Sequence, residues 1–151
     1  MALTSKSTDL TPKIVTLLGG QRAFKRKPKT QKQLQDVLRK GLSFGSFDAL
    51  RVTLDVPAER LAEVVGVAPR TLTRRKASQQ LTSIESDRLY RVAYVTLTAA
   101  ETLGTIEKAR EWLHAPNRAL GGGSPMSLLD TEIGEQQVEE LLQRIEYGVF
   151  S

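Results

Sequence analysis

The 151-residue chain contains no cysteine and a single histidine, His114. Disulfides, thiolate metal sites and cysteine nucleophiles are therefore excluded, and one imidazole does not make a metal cluster. Aromatic residues are only 5% of the chain. No apolar run approaches the roughly 20 residues that a membrane span requires, and the N-terminus lacks the apolar core of a signal peptide. A cytoplasmic protein is expected. A catalytic constellation is missing as well. Glu135, Glu139 and Glu140 run beside the apolar stripe Val138, Leu141, Leu142 and Ile145, which is the pattern of a solvated helix face. The glycines at 121–123 have neither the lysine nor the preceding strand of a phosphate loop. His114 stands at a helix end before Ala-Pro. No enzymatic activity, metal or cofactor is expected.

What is present is charge, unevenly spread. Residues 1–30 carry seven Lys/Arg against one acid, residues 31–104 eleven against eight, and residues 105–151 four against eight. A basic front and an acidic back imply two kinds of partner. Mild basicity alone serves solubility equally well.

The periodicity is helical throughout, with no sustained strand alternation and no internal repeat. Thr11-Pro12 opens a short helix to Leu18, stopped by Gly19-Gly20. QRAFKRKPK reads as a basic, weakly structured linker, for which a minor-groove arm and a solubilising tether both remain open. Thr30 with Gln33 makes a capping-box pattern for a helix from Gln31 to about Lys40, closed by Gly41. Ser46 is placed to cap a helix carrying Phe47, Leu50 and Leu54. Helices follow over Pro57–Val65, Pro69 to about Lys76, and Ser83–Leu103 before Gly104. The last of these has two apolar stripes and reads as the central strut. Thr105 caps a helix to about His114, APNRALGGG is loop, and Ser124-Pro125 opens a single turn. Gly134–Tyr147 is the final helix. The expected fold is all-α, in three parts: a basic extension over 1–29, a DNA-binding bundle over 30–104 and a C-terminal unit over 105–151.

LAEVVGVAPRTLTRRKAS, residues 61–78, has the spacing of a helix-turn-helix. Two helices crossing closely need a small residue, here Ala62, and a left-handed position four residues on, here Gly66. Leu72 then falls back between them onto Leu61 and Val65. At about 100° per residue, with Leu72 inward, Arg70 and Arg74 point outward and Thr71 and Thr73 flank them. All four occupy the first turns of the second helix, which meet base edges in such motifs. Arg suits guanine, and Thr serves base edge or phosphate. Arg75 and Lys76 sit nearer the packed side, fit for phosphate contact or an internal ion pair. A surface hairpin with solvated charges is the plain alternative.

RTLTRRK, then LTSIESDRLYRVA, then AREWLHAPNRALGGGSPMSLLDTEIGEQQVEELLQRIEYGVFS together resemble the Xre-type antitoxins encoded beside RES-domain toxins. The resemblance runs from about Gln31 to Ser151 and is most specific from Trp112 onward. One departure is Pro69, where such recognition helices often carry Ser. The resemblance implies a Cro/repressor-like helix-turn-helix bundle joined by a long helix to a small toxin-binding unit. It implies an antitoxin that covers the active site of an NAD-depleting toxin and represses its own operon. The implied partners are that toxin, double-stranded operator DNA, and a second copy in a homodimer or larger toxin–antitoxin assembly. Toxin contact is expected at Trp112, Asn117, Leu120, Gly122 and Pro125, and along the tail Tyr147, Gly148, Val149, Phe150 and Ser151. The tail's apolar Val149-Phe150 pair and terminal carboxylate suit a cofactor pocket. Trp112, Leu120 and Pro125 equally suit a tight interhelical loop, and Phe150 equally suits folding back on the core. Two other readings stay open: a stand-alone transcription factor whose C-terminal half only dimerises, and an adaptor with no DNA role.

Overall fold

The computed structural model describes residues 9–148, which fold into eight α-helices. They are α1 (Thr11–Leu17), α2 (Gln31–Lys40), α3 (Phe44–Leu54), α4 (Ala58–Val65), α5 (Pro69–Ser78), α6 (Ser83–Leu103), α7 (Ile106–His114) and α8 (Glu132–Glu146). Short 3-10 turns occupy Gly20–Arg22, Arg118–Leu120 and Met126–Leu128. Among the described residues there is no strand, only an isolated antiparallel bridge between Ser43 and Gln80. No helix among them is long and apolar enough to cross a membrane.

The organiser is α6. Leu89, Val92, Ala93, Val95, Thr96, Leu97 and Ala99 are all buried, so the helix is packed around more than one face. It packs against α7, α8, α2, α1 and α4. Buried side chains from both halves of the chain form one continuous core. Ile14, Val15, Leu18 and Phe24 belong to it, so much of the segment preceding α2 is part of the packed body. Phe24 and Pro28 are both buried within the stretch expected to be weakly structured.

Several helix starts differ from the sequence expectation for tertiary reasons. The residue in the N-cap position of α3 is Ser43, not Ser46. The Phe44 N–H is taken by the Gln79 carbonyl at 3.0 Å, which lets the helix begin early. Ser46 lies inside the first turn, fully buried, with no partner for its hydroxyl among the described residues. At α2 the Thr30 hydroxyl does accept from Gln33 N–H, but the Gln33 side chain reaches back to Lys29 N–H instead of Thr30. α8 begins two residues before the glycine expected to open it, capped by Thr131, whose hydroxyl accepts from Gly134 N–H at 3.0 Å. Gly134 is obligatory there, because an added Cβ would run into the Leu128 carbonyl.

Candidate functional site

The α4–α5 pair has helix-turn-helix geometry. Leu61, Ala62 and Val65 are buried at the crossing, and Leu72 packs partly against the same core. Gly66 closes α4 at φ +81°, the left-handed region that favours glycine. A Cβ there would also sit 2.5 Å from an Arg88 guanidinium nitrogen. That guanidinium donates to the Val65 carbonyl at 3.4 Å, so the turn is pinned to α6. Pro69 occupies the first turn of α5, where its missing N–H costs nothing.

No residue of α5 is buried. What holds this helix, besides Leu72, is a polar brace. Arg75 Nε donates to Glu85 Oε1 at 2.8 Å and its terminal nitrogen to Oε2 at 3.1 Å. Glu85 also closes the capping box of α6: its carboxylate accepts from Thr82 N–H while the Thr82 hydroxyl accepts from Glu85 N–H. Burial pushes the Glu85 carboxyl up, but the guanidinium and the Thr82 bonds outweigh it and hold the group below the usual glutamate value. Of the two roles open to Arg75, the structure places it in the internal ion pair; its guanidinium is engaged and not presented for phosphate contact. The Thr82-x-x-Glu85 spacing was the sequence signal for this brace.

The rest of α5 is presented outward. Arg70, Thr73, Arg74 and Lys76 are exposed and Thr71 is half-exposed. The Arg70 and Lys76 side chains have no ion-pair or hydrogen-bond partner among the described residues, and the Arg74 side chain meets only the Thr71 hydroxyl, at 3.3 Å. Thr73 bonds back to the Pro69 carbonyl. The contrast within residues 30–104 is sharp. Of eight arginines there, Arg39, Arg51, Arg60, Arg75 and Arg91 pair with carboxylates and Arg88 holds a backbone carbonyl. Among the described residues, only Arg70 and Arg74 of these eight meet neither a carboxylate nor a carbonyl.

The acidic half is arranged differently. Trp112 and Leu120 are partly buried and pack against the core. Pro125 is buried, as are Met126 and Leu129, and this turn packs against α8; of the two readings left open for Pro125, its burial fits the interhelical loop. Asn117 holds its own loop, accepting from Ala119 N–H at its side chain and from Gly122 N–H at its carbonyl. Gly122 lies exposed in open space at φ +91°. Tyr147 is 63% exposed and Gly148 is exposed at φ +69°. Val149, Phe150 and Ser151 lie outside the described residues.

Two features escaped the sequence reading. Arg110 Nε donates to the Thr53 carbonyl and His114 Nε2 to the Leu54 carbonyl, each at 2.9 Å. A carbonyl only accepts, so His114 carries its proton on Nε2. One turn apart on α7, these two residues cap the C-terminus of α3 and tie the two halves together. On α8, Glu135 is pushed up to about 7, first by burial and then by its hydrogen bond to Glu139 and that residue's charge. It is not the fully solvated carboxylate expected. Burial likewise pushes the nearby Tyr90 hydroxyl up.

Both halves match described domain families. Residues 33–94 match the antitoxin Xre-like helix-turn-helix domain, and residues 98–148 the antitoxin Xre/MbcA/ParS C-terminal toxin-binding domain. The chain is 35% identical over 120 residues to antitoxin Xre of Yersinia enterocolitica, covering 78% of this chain and 81% of that one. It is 44% identical over 80 residues to antitoxin Xre of Pseudomonas putida, covering 52% and 50%. A chain in the crystal structure of the M. tuberculosis MbcT–MbcA toxin–antitoxin complex superposes with a TM-score of 0.54 at 28% identity, over 70% of this chain and 94% of that one.

Proposed function

The chain belongs to the Xre antitoxin family, and on that premise we propose that it neutralises a cognate RES-domain, NAD-degrading toxin and represses its own operon. In this reading residues 30–104 bind operator DNA as a homodimer and residues 105–151 cover the toxin's active site, without any catalysis by the chain itself. The observation that carries the DNA-binding half is the charge pairing around α5. Arginines that serve the fold find partners within it, whereas Arg70 and Arg74 stand unsatisfied on the exposed side of a recognition helix, suited to bidentate readout of guanine. Lys76 would contribute a phosphate contact. A single module buries too little for high specificity, so a dimer reading paired half-sites about 34–36 Å apart is the expected arrangement.

The neutralising half is supported by the way the chain leaves α8. Val138, Leu141 and Leu142 are buried, and the exposed Tyr147 and Gly148 are followed in sequence by Val149-Phe150-Ser151. An aromatic residue carried on such a tail suits an apolar or stacking subsite in a cofactor pocket. Deletion of Tyr147 to Ser151 is the test. The truncated protein should stay folded and bind the DNA upstream of its gene, yet fail to protect cells expressing the RES toxin. Full protection by the truncated chain would move the interface to the exposed surface around Asn117 and Gly122.

A further inference from the structure

Between Asp9 and Asp36 the chain carries seven cations and no acid, and five of them, Arg22, Lys25, Arg26, Lys27 and Lys29, fall within eight residues. All five are exposed, and none has a side-chain ion pair or hydrogen bond among the described residues. A solubilising tether would leave such a run loose. Here the backbone is fastened at both ends. Phe24 and Pro28 are buried on either side of Lys25-Arg26-Lys27, and Lys29 N–H donates to the Gln33 side chain at 2.7 Å.

The place where it is fastened is informative. The Ser43 hydroxyl donates to the Ala23 carbonyl at 3.0 Å, and Gly45 is so close that a Cβ there would lie 3.7 Å from that of Ala23. The same N-terminal turn of α3 bonds to the end of the recognition helix, through Phe44 N–H to the Gln79 carbonyl and the Ser43–Gln80 bridge. Gly45 lines a groove whose other wall is formed by Thr73, Lys76 and Gln79 of the α5 region. Ala23, inside the basic segment, thus meets the first turn of α3, the same turn that bonds to the end of the recognition helix and lines that groove. Fixing cations in place before binding removes part of the ordering cost of a flexible arm.

We propose that Arg22–Lys29 is a fixed cationic strip that contacts the DNA backbone flanking the bases read by α5, and that it adds affinity without sequence preference. This rests on the reading of α4–α5 as the DNA-binding element. The strip precedes the matched helix-turn-helix domain, which begins at residue 33.

The test measures binding of the full chain to a duplex from upstream of its gene and to a scrambled duplex of equal length, across salt concentrations. Each phosphate contact contributes roughly 0.9 to the slope of log affinity against log salt. The Lys25→Ala/Arg26→Ala/Lys27→Ala variant should lower the slope by about 2–3 on both duplexes and leave their affinity ratio unchanged. Between 50 and 200 mM salt the wild type should then lose roughly 40-fold more affinity than the variant. A control, Lys108→Ala/Arg118→Ala/Arg144→Ala, removes the same charge from the acidic half and should leave the slope intact. An equal fall in slope for the control would reduce the effect to net charge and overturn the strip. If the strip variant binds like wild type while Arg70→Ala/Arg74→Ala loses the specific duplex, the strip fails and the recognition helix stands. If it keeps its slope but loses protection against the toxin, the strip faces a protein and the proposal is overturned. Absence of DNA binding by the wild type would overturn both.

Discussion

Helices α5 and α8 are held to the rest of the fold in opposite ways. α8 buries Gly134, Val138, Leu141 and Leu142, so its position is set by apolar contact with its neighbours. α5 buries nothing fully; it is held by one half-buried leucine and the Arg75–Glu85 brace. The difference follows from the surface each must offer. A helix destined for a DNA groove keeps polar side chains around most of its circumference and has little apolar area left for anchoring. A bidentate ion pair, directional and partly shielded, supplies orientation where the hydrophobic effect has too little surface to act on. The C-terminal half has no such constraint and packs conventionally, with its outward face acidic.

The sharpest way to break this contrast is to truncate one apolar anchor in each helix. Leu142→Ala removes a fully buried side chain and should cost about 2–5 kcal/mol, whereas Leu72→Ala, half-exposed, should cost about 1 kcal/mol. Denaturant unfolding of the two variants measures the gap directly, and equal losses would mean that α5 is packed as firmly as α8. Next in size are Arg70→Ala and Arg74→Ala, each expected to weaken the specific duplex by about 1–3 kcal/mol. Neither should change the melting temperature appreciably, since neither side chain supports the fold; a matched loss of stability would place them in the structure instead.

The brace itself comes third. Glu85→Gln leaves Arg75 without its counter-charge and should cost about 1–2 kcal/mol, with a larger effect on DNA binding than on toxin protection. Its pH signature has a definite sign. Because the folded carboxyl is held below its unfolded value, the stabilisation is present above the ordinary glutamate range and is lost as pH falls through the depressed folded value. Glu85→Gln should therefore unfold less steeply in acid than the wild type. Smallest is the opposite case on α8. Glu135 is raised from 4.5 to about 7, so the folded state binds the proton more tightly and this group's contribution to stability declines as pH rises from 4.5 to about 7. Glu135→Gln should remove that decline, leaving the variant at least as stable as wild type at pH 8 in thermal melts. A steeper alkaline loss in the variant would reverse the assignment.

Much of the secondary structure was legible because local signals coincide with the helix ends. Thr30, Thr105, Gly41, Gly66 and Gly104 mark boundaries at the positions observed, since caps and left-handed turns are decided by a few adjacent residues. Ser46 misled because serine in a first turn resembles a cap. The true start depends on the Gln79 carbonyl, far along the chain. Pro125 shows the same limit: its sequence setting left a toxin contact and a tight interhelical loop open, and its burial depends on packing that the local sequence does not specify.

By itself the sequence determined the all-helical class, the helix-turn-helix spacing and the polarity of charge from a basic front to an acidic back. These rest on periodicity, turn chemistry and composition, which act over a few residues or over none. The tertiary structure alone decided that Arg75 is engaged while Arg70 and Arg74 find no carboxylate or carbonyl among the described residues, that Arg110 and His114 hold the end of α3, and that Ala23 of the basic segment is fastened to the start of α3. Each of these depends on which distant carboxylate, carbonyl or buried ring comes within a few ångströms. Hydrogen bonds and ion pairs act at that range, whereas the intervals between their partners in the chain are set by how the helices pack.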